Sequence, residues 1–217
     1  MIFLSTFNKG GVGKTTLAVH LAKRLDERGK GRILLVDCVD QFNAYRFFTR
    51  SAPQETLTPK QITDRLSVLW NDELKRLTSF VDVSEYDHYV IDLNSPKEDT
   101  VRAMVRNDPD MVLIPINDQA LALDQLAETL GIIAAMQTRS GYYSKVLVVP
   151  LGEKKINITQ KLQSISQEQA LPEKLQMTKR INQHPTEFRE SLRNGTPVWQ
   201  FPGCEYVGTV FDEIIDT

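Results

Sequence analysis

The chain has 217 residues, 41% of them hydrophobic, and a formal net charge of −2. That length and apolar content suffice to bury a full core, and residues 1–217 read as one α/β domain. The near-neutral charge argues against a strongly basic nucleic-acid binder, and with only Cys38 and Cys204 there is no disulfide framework and no cysteine cluster for a metal.

In chain order, the first apolar run, Ile2–Phe7, is a strand. It is far too short for a membrane span and lacks the basic flank of a signal peptide, so the protein is expected in the cytoplasm and off the membrane. Further strands are expected at Ile33–Asp37, Tyr89–Asp92, Met111–Ile116 and Val146–Pro150, with a weaker one at Lys174–Thr178. Helical periodicity falls at Lys14–Arg28, Pro59–Phe80, Pro96–Asn107, Asp118–Gln137, Ile156–Gln169 and Pro185–Asn194, with a short closing helix at Val207–Ile215. Gly29, Gly141 and Gly195 stand where helix stops belong. Alternating strands and helices, with strands that are nearly continuous in apolar residues, imply a mostly parallel sheet covered by helices on both faces. Such sheets bind ligands at the carboxyl ends of their strands.

Between the first strand and the first helix lies Lys9-Gly10-Gly11-Val12-Gly13-Lys14-Thr15-Thr16. Glycines let successive backbone N–H groups converge on an anion, and the helix N-terminus adds its positive dipole end. Lys14 then supplies a cation to the β- and γ-phosphates, and the Thr15 hydroxyl suits Mg²⁺. This is a fold of the P-loop NTPase type with ATP and Mg²⁺ as expected ligands, the nucleotide held by Gly10, Gly11, Val12, Gly13, Lys14, Thr15 and Thr16. The strict phosphate-loop pattern fails by one residue, since Asn8 occupies its first glycine position. A guanine-reading Asn/Thr-Lys-x-Asp motif is absent: Thr178-Lys179 continues to Arg180-Ile181.

The variant KGGVGKT, with its leading lysine, resembles the deviant Walker A box of the ParA/MinD family of dimerising ATPases. The resemblance runs from Met1 to about Val198. Val36-Asp37-Cys38-Val39-Asp40-Gln41-Phe42-Asn43-Ala44 is similar to the family's first switch, VDLDPQGNA, with Asp37, Gln41 and Asn43 matching. The acid that the family keeps near the attacking water is Val39 here, and Asp40 stands one residue further on. The resemblance therefore implies slow hydrolysis, with Lys9, Lys14, Asp37 and Asp40 as the catalytic set. Tyr86–Asp92 looks like the second switch, which implies Asp92 as a Mg²⁺ residue beside Thr15 and Asp37. Asp92 also suits a cap for the helix near Pro96. The loop Lys179–Pro185 matches the region where the family meets the base, which implies Arg180 or Asn182 as contacts. The same two residues equally suit a plain surface loop.

The resemblance further implies an ATP-dependent homodimer that partitions plasmid or chromosomal DNA, or positions another large cargo, with a ParB-like adaptor. Beginning at its first strand, the chain is expected to lack the N-terminal DNA-reading domain of longer partition ATPases. A MinD-like membrane helix is not expected, because the tail Phe211–Thr217 is acidic. Non-specific DNA contact would fall to Lys154, Lys155, Lys161, Lys174, Lys179, Arg180, Arg189 and Arg193. An ATP-dependent small-molecule ligase of the dethiobiotin or cobyrinic acid type is the alternative, although Lys9 favours the dimeric switch.

Overall fold

The computed structural model describes residues 1–94, 96–117, 120–152 and 157–217. Its elements are β1 (Ile2–Ser5), α1 (Lys14–Glu27), β2 (Ile33–Cys38), α2 (Asn43–Thr49), β3 (Lys60–Gln61), β4 (Leu66–Trp70), β5 (His88–Leu93), α3 (Lys97–Asn107), β6 (Met111–Ile116), α4 (Ala120–Ser140), β7 (Lys145–Pro150), α5 (Ile158–Glu168), β8 (Leu175–Met177), α6 (Pro185–Asn194) and α7 (Glu205–Asp216). The strands form one eight-stranded sheet in the order β3-β4-β2-β5-β1-β6-β7-β8. All neighbours are parallel except the edge pair β3 and β4.

The core divides by strand alternation. Ile33 and Leu35 of β2 join α1, α2 and α7 on one face, while Leu34 and Val36 join α3, α4 and α5 on the other. Because both faces are covered, the strands need apolar residues at every position, and this made them readable as continuous runs.

Two expectations fail. The helix over Pro59–Phe80 is absent: the segment holds β3, β4 and a short 3₁₀ turn at Leu77–Ser79. Leu66, Leu69, Leu74 and Leu77 have spacings compatible with a helix, but the outer edge of β2 has backbone groups to satisfy, and Leu66–Trp70 satisfies them as a parallel partner. Beyond it, Asn71 turns the chain by donating from Nδ2 to the Lys75 carbonyl (2.9 Å) and accepting the Lys75 N–H on Oδ1 (2.8 Å). The second miss is α2, which falls where no helix was expected. It is seven residues long and is preceded at its N-cap by Phe42, whose left-handed backbone gives no capping signal in the sequence.

Helix α1 is tied to the C-terminal elements by His20, which is fully buried. Its Nδ1 lies 2.7 Å from the Thr16 carbonyl, which can only accept, so Nδ1 carries the proton. Nε2 then accepts from the Val198 N–H (3.0 Å) and the Ser191 hydroxyl (3.1 Å). The rings of Phe47, Phe188, Trp199 and Phe211 surround it. Gly195 ends α6 in a left-handed conformation, where a Cβ would lie 2.4 Å from the Phe47 carbonyl oxygen. Only glycine lets α6 close on α2 there.

Candidate nucleotide-binding site

The loop between β1 and α1 faces a cleft of about 540 Å³ at the carboxyl end of the sheet. Gly13 caps α1 at φ 107°, ψ 18° and offers no side chain to the helix, and no acid occupies the first turn. The N–H groups of that turn are thus left without a side-chain acceptor from the cap, and the dipole end is not neutralised, the arrangement that suits an anion. A Cβ on Gly13 would lie 2.5 Å from Leu151 Cδ1, so the loop needs glycine for space as well as for conformation. Ser5 Oγ donates to the Lys14 carbonyl (2.9 Å), and the Thr6 and Thr100 hydroxyls pair at 2.5 Å, fixing both flanks of the loop.

Lys14 is 8% exposed and donates from Nζ to the Lys9 carbonyl at 2.8 Å. Burial lowers its pKa, and the charge of Asp92 pulls the other way. The ammonium group is folded back over the loop, where it can meet phosphate oxygens. Thr15, Thr16, Gly10, Gly11, Val39, Asp40, Gln41 and Asn43 line the cleft with it, joined by Leu93 and Asn94. Val12 instead packs in the core below. Lys9 is half-buried, and its carbonyl is the Lys14 acceptor.

Asp37 and Asp92 end adjacent parallel strands and are paired directly in register, and both are fully buried. Burial raises the Asp37 pKa to about 6 despite the N–H groups that Tyr45 (2.8 Å) and Val39 (2.9 Å) donate to it. Burial, and then the neighbouring Asp37 charge, push Asp92 well above the carboxylate range. Among the described residues neither Asp92 oxygen has a hydrogen-bond partner of regular geometry, while Thr15 and the Lys14 charge offset part of the rise. The capping alternative for Asp92 is therefore set aside, since the N-cap of α3 is Pro96 and no side chain caps the helix there. Two buried carboxylates, one with unsatisfied oxygens, beside a hydroxyl and a phosphate cradle are a donor set that fits a hard divalent cation such as Mg²⁺.

Arg180 and Asn182 do not line this cleft. Their segment runs along the end of β7, with Ile181 N–H donating to the Pro150 carbonyl (2.9 Å) and Gly152 N–H to the Ile181 carbonyl (2.9 Å). Arg180 Nη1 reaches the Gly152 carbonyl at 3.5 Å, and the Asn182 N–H donates to the Tyr206 hydroxyl at 2.9 Å. Leu151 separates this segment from Gly13. The basic residues are also dispersed. Lys154 and Lys155 lie outside the described residues, Lys161 faces Asp124 from α5, Lys179 pairs with Glu213, and Arg189 and Arg193 sit on α6 at the opposite face of the sheet from α5. Leu93 and Asn94, which follow Asp92 directly, line the cleft without having been singled out in the sequence.

A parallel sheet with a glycine loop after its first strand, a buried lysine in that loop and acids ending two neighbouring strands defines a P-loop nucleotide-binding protein. A family model described as an AAA domain matches residues 2–68. Over 187 residues the chain is 27% identical to the maintenance of carboxysome distribution protein A of Synechococcus elongatus, covering 71% of this chain and 73% of that protein. Among solved structures, the ATP complex of a singly substituted McdA from Cyanothece superposes with a TM-score of 0.78 at 16% identity, over 100% of this chain and 95% of that one. A ParA family ATPase of Chlorobium tepidum gives 0.73 at 15% identity, over 99% and 97%. The chain thus shares its fold with ParA- and MinD-type ATPases, and its sequence is similar to one such relative over most of its length. No described helix is long and apolar enough to cross a membrane.

Proposed function

We propose that the chain is one cytoplasmic ATPase domain that binds ATP with Mg²⁺, dimerises on ATP and positions a large cargo, with slow hydrolysis stimulated by an adaptor. The observation that carries this reading is the convergence of the glycine loop, buried Lys14 and the paired acids Asp37 and Asp92 on one cleft. The loop amides and Lys14 bind and orient the phosphates, and Thr15, Asp37 and Asp92 hold the cation directly or through its water. When bound, Mg²⁺ neutralises charge on the β- and γ-phosphates. Asp40 is the acid on the cleft wall available to orient water in place of the family's acid at Val39. Lys9 acts across the dimer on the partner's nucleotide.

The cargo is plasmid or chromosomal DNA recruited through a ParB-like adaptor, or a large protein assembly. The carboxysome role in the name of the Synechococcus relative supports widening the cargo beyond DNA. The nucleotide site is tested by calorimetric titration with ATP and Mg²⁺. Lys14→Ala should weaken binding by about 10- to 100-fold, the worth of a charge-assisted contact, with the fold retained. Unchanged affinity in a folded variant would remove the assignment.

A further inference from the structure

The cleft wall opposite the glycine loop is the turn from Val39 to Asn43, and its backbone is pinned from outside the cleft. Val39 gives its N–H to Asp37 Oδ1 at 2.9 Å. Its carbonyl accepts twice, from the Phe42 N–H (2.8 Å) and from the indole N–H of Trp70 (3.1 Å). Trp70 is half-buried at the end of β4, in register with Asp37. The Phe42 ring meets Trp70 edge-on with centroids 5.7 Å apart, and the Arg46 guanidinium lies 4.8 Å from the Phe42 ring centroid. Phe42 itself holds φ 42°, ψ 43°, a left-handed conformation that side chains other than glycine seldom adopt. Such a conformation persists only where the surroundings over-determine it, and Trp70 supplies both a hydrogen bond and a ring contact to this turn.

We propose that Trp70 is a positioning residue for ATP hydrolysis: it locks the Val39–Phe42 turn so that Asp40 and Gln41 stay on the cleft wall. The inference rests on the nucleotide reading above. Trp70 does not line the cleft, so it acts through the turn and not on the ligand. The glycine loop and Lys14, which carry the affinity, hang on β1 and α1 and do not depend on it. Loss of the indole N–H should therefore lower turnover and spare binding.

Trp70→Phe keeps a ring and removes the N–H. Its single-turnover rate with ATP and Mg²⁺ should fall about fivefold, the effect of one neutral hydrogen bond. Its Kd for a non-hydrolysable ATP analogue should stay within about twofold of wild type. The chain has two tryptophans, so Trp199→Phe leaves Trp70 as the sole indole emitter, and its emission should change when the analogue binds. An unaltered rate in Trp70→Phe, a loss of affinity equal to the loss of rate, or an unresponsive Trp70 emission would each overturn the proposal. If Trp70→Phe does not fold, the emission of Trp199→Phe decides alone. Failure of the underlying reading looks different, because wild type itself would then bind no analogue.

Discussion

At position 39 a valine faces the cleft where the related first switch carries an acid, and both its backbone polar groups are already used, by Asp37 on one side and by Trp70 and Phe42 on the other. The side chain can thus be exchanged without releasing the turn. Val39→Asp should speed single-turnover hydrolysis by about 10²-fold, the lower end of what a positioned base contributes, and Asp40→Ala should slow it. If Val39→Asp is no faster and Asp40→Ala keeps full activity, neither position supplies the base. Gly13 is constrained on two counts, by φ 107° and by Leu151 Cδ1, which lies 2.5 Å from the place a Cβ would take. Gly13→Ala should cost about 1–3 kcal/mol of stability and abolish ATP binding, read by thermal unfolding and calorimetry on the same sample. Retained affinity would show that the loop tolerates a different cradle.

At the level of elements, His20 joins α1 to α6 and to the turn at Val198 through a hydrogen-bond set that only a neutral ring satisfies, and it meets α7 by stacking on Phe211. Protonated Nε2 would point a proton at the Val198 N–H. Burial accordingly lowers the His20 pKa from 6.5 to about 4. The unfolded chain therefore takes up this proton first on acidification. Stability is complete above pH 6.5 and declines as pH falls from 6.5 towards 4, by a total of about 3 kcal/mol from this group. His20→Gln should be less stable at neutral pH through lost packing, yet its urea midpoint should decline less over that interval. Parallel decline in both proteins would mean that carboxylates alone carry the acid sensitivity. Because the Thr16 carbonyl is one of the His20 partners, this hub also anchors the first turn of α1 beneath the phosphate loop.

For the molecule as a whole, the proposed switch makes the nucleotide part of a subunit contact. Light scattering should show a dimer with ATP and a monomer with ADP or without nucleotide, and Lys9→Ala should abolish the difference. The same mass in all three states, with no effect of Lys9→Ala, would end the switch model. Any DNA contact should involve one face of the sheet, because α5 and α6 cover opposite faces. Charge reversal at Arg189 and Arg193 on α6 should then weaken salt-sensitive, ATP-dependent DNA binding more than reversal at Lys161 on α5. Equal losses, or none, in a filter-binding titration would place the contact elsewhere.

The central strands and the phosphate loop were legible in the sequence because their causes are local. A strand covered on both faces must be apolar at successive positions, and a phosphate cradle must have glycine where the backbone turns left-handed or touches a neighbour, as at Gly13 beside Leu151. Lys14, Thr15 and the two acids could be picked out for the same reason, each sitting at the end of a strand or the start of a helix. What the tertiary structure decided was non-local. The pairing of Asp37 with Asp92 depends on the parallel register of β2 and β5, and Leu66–Trp70 becomes a strand only because the edge of β2 is there to receive it. The seating of Trp70 on Val39 follows from that strand. The course of the Arg180–Asn182 segment likewise follows from how it pairs along the end of β7. Periodicity reports which face of an element is buried, but a backbone edge waiting for a partner leaves no mark in the sequence of the segment that fills it.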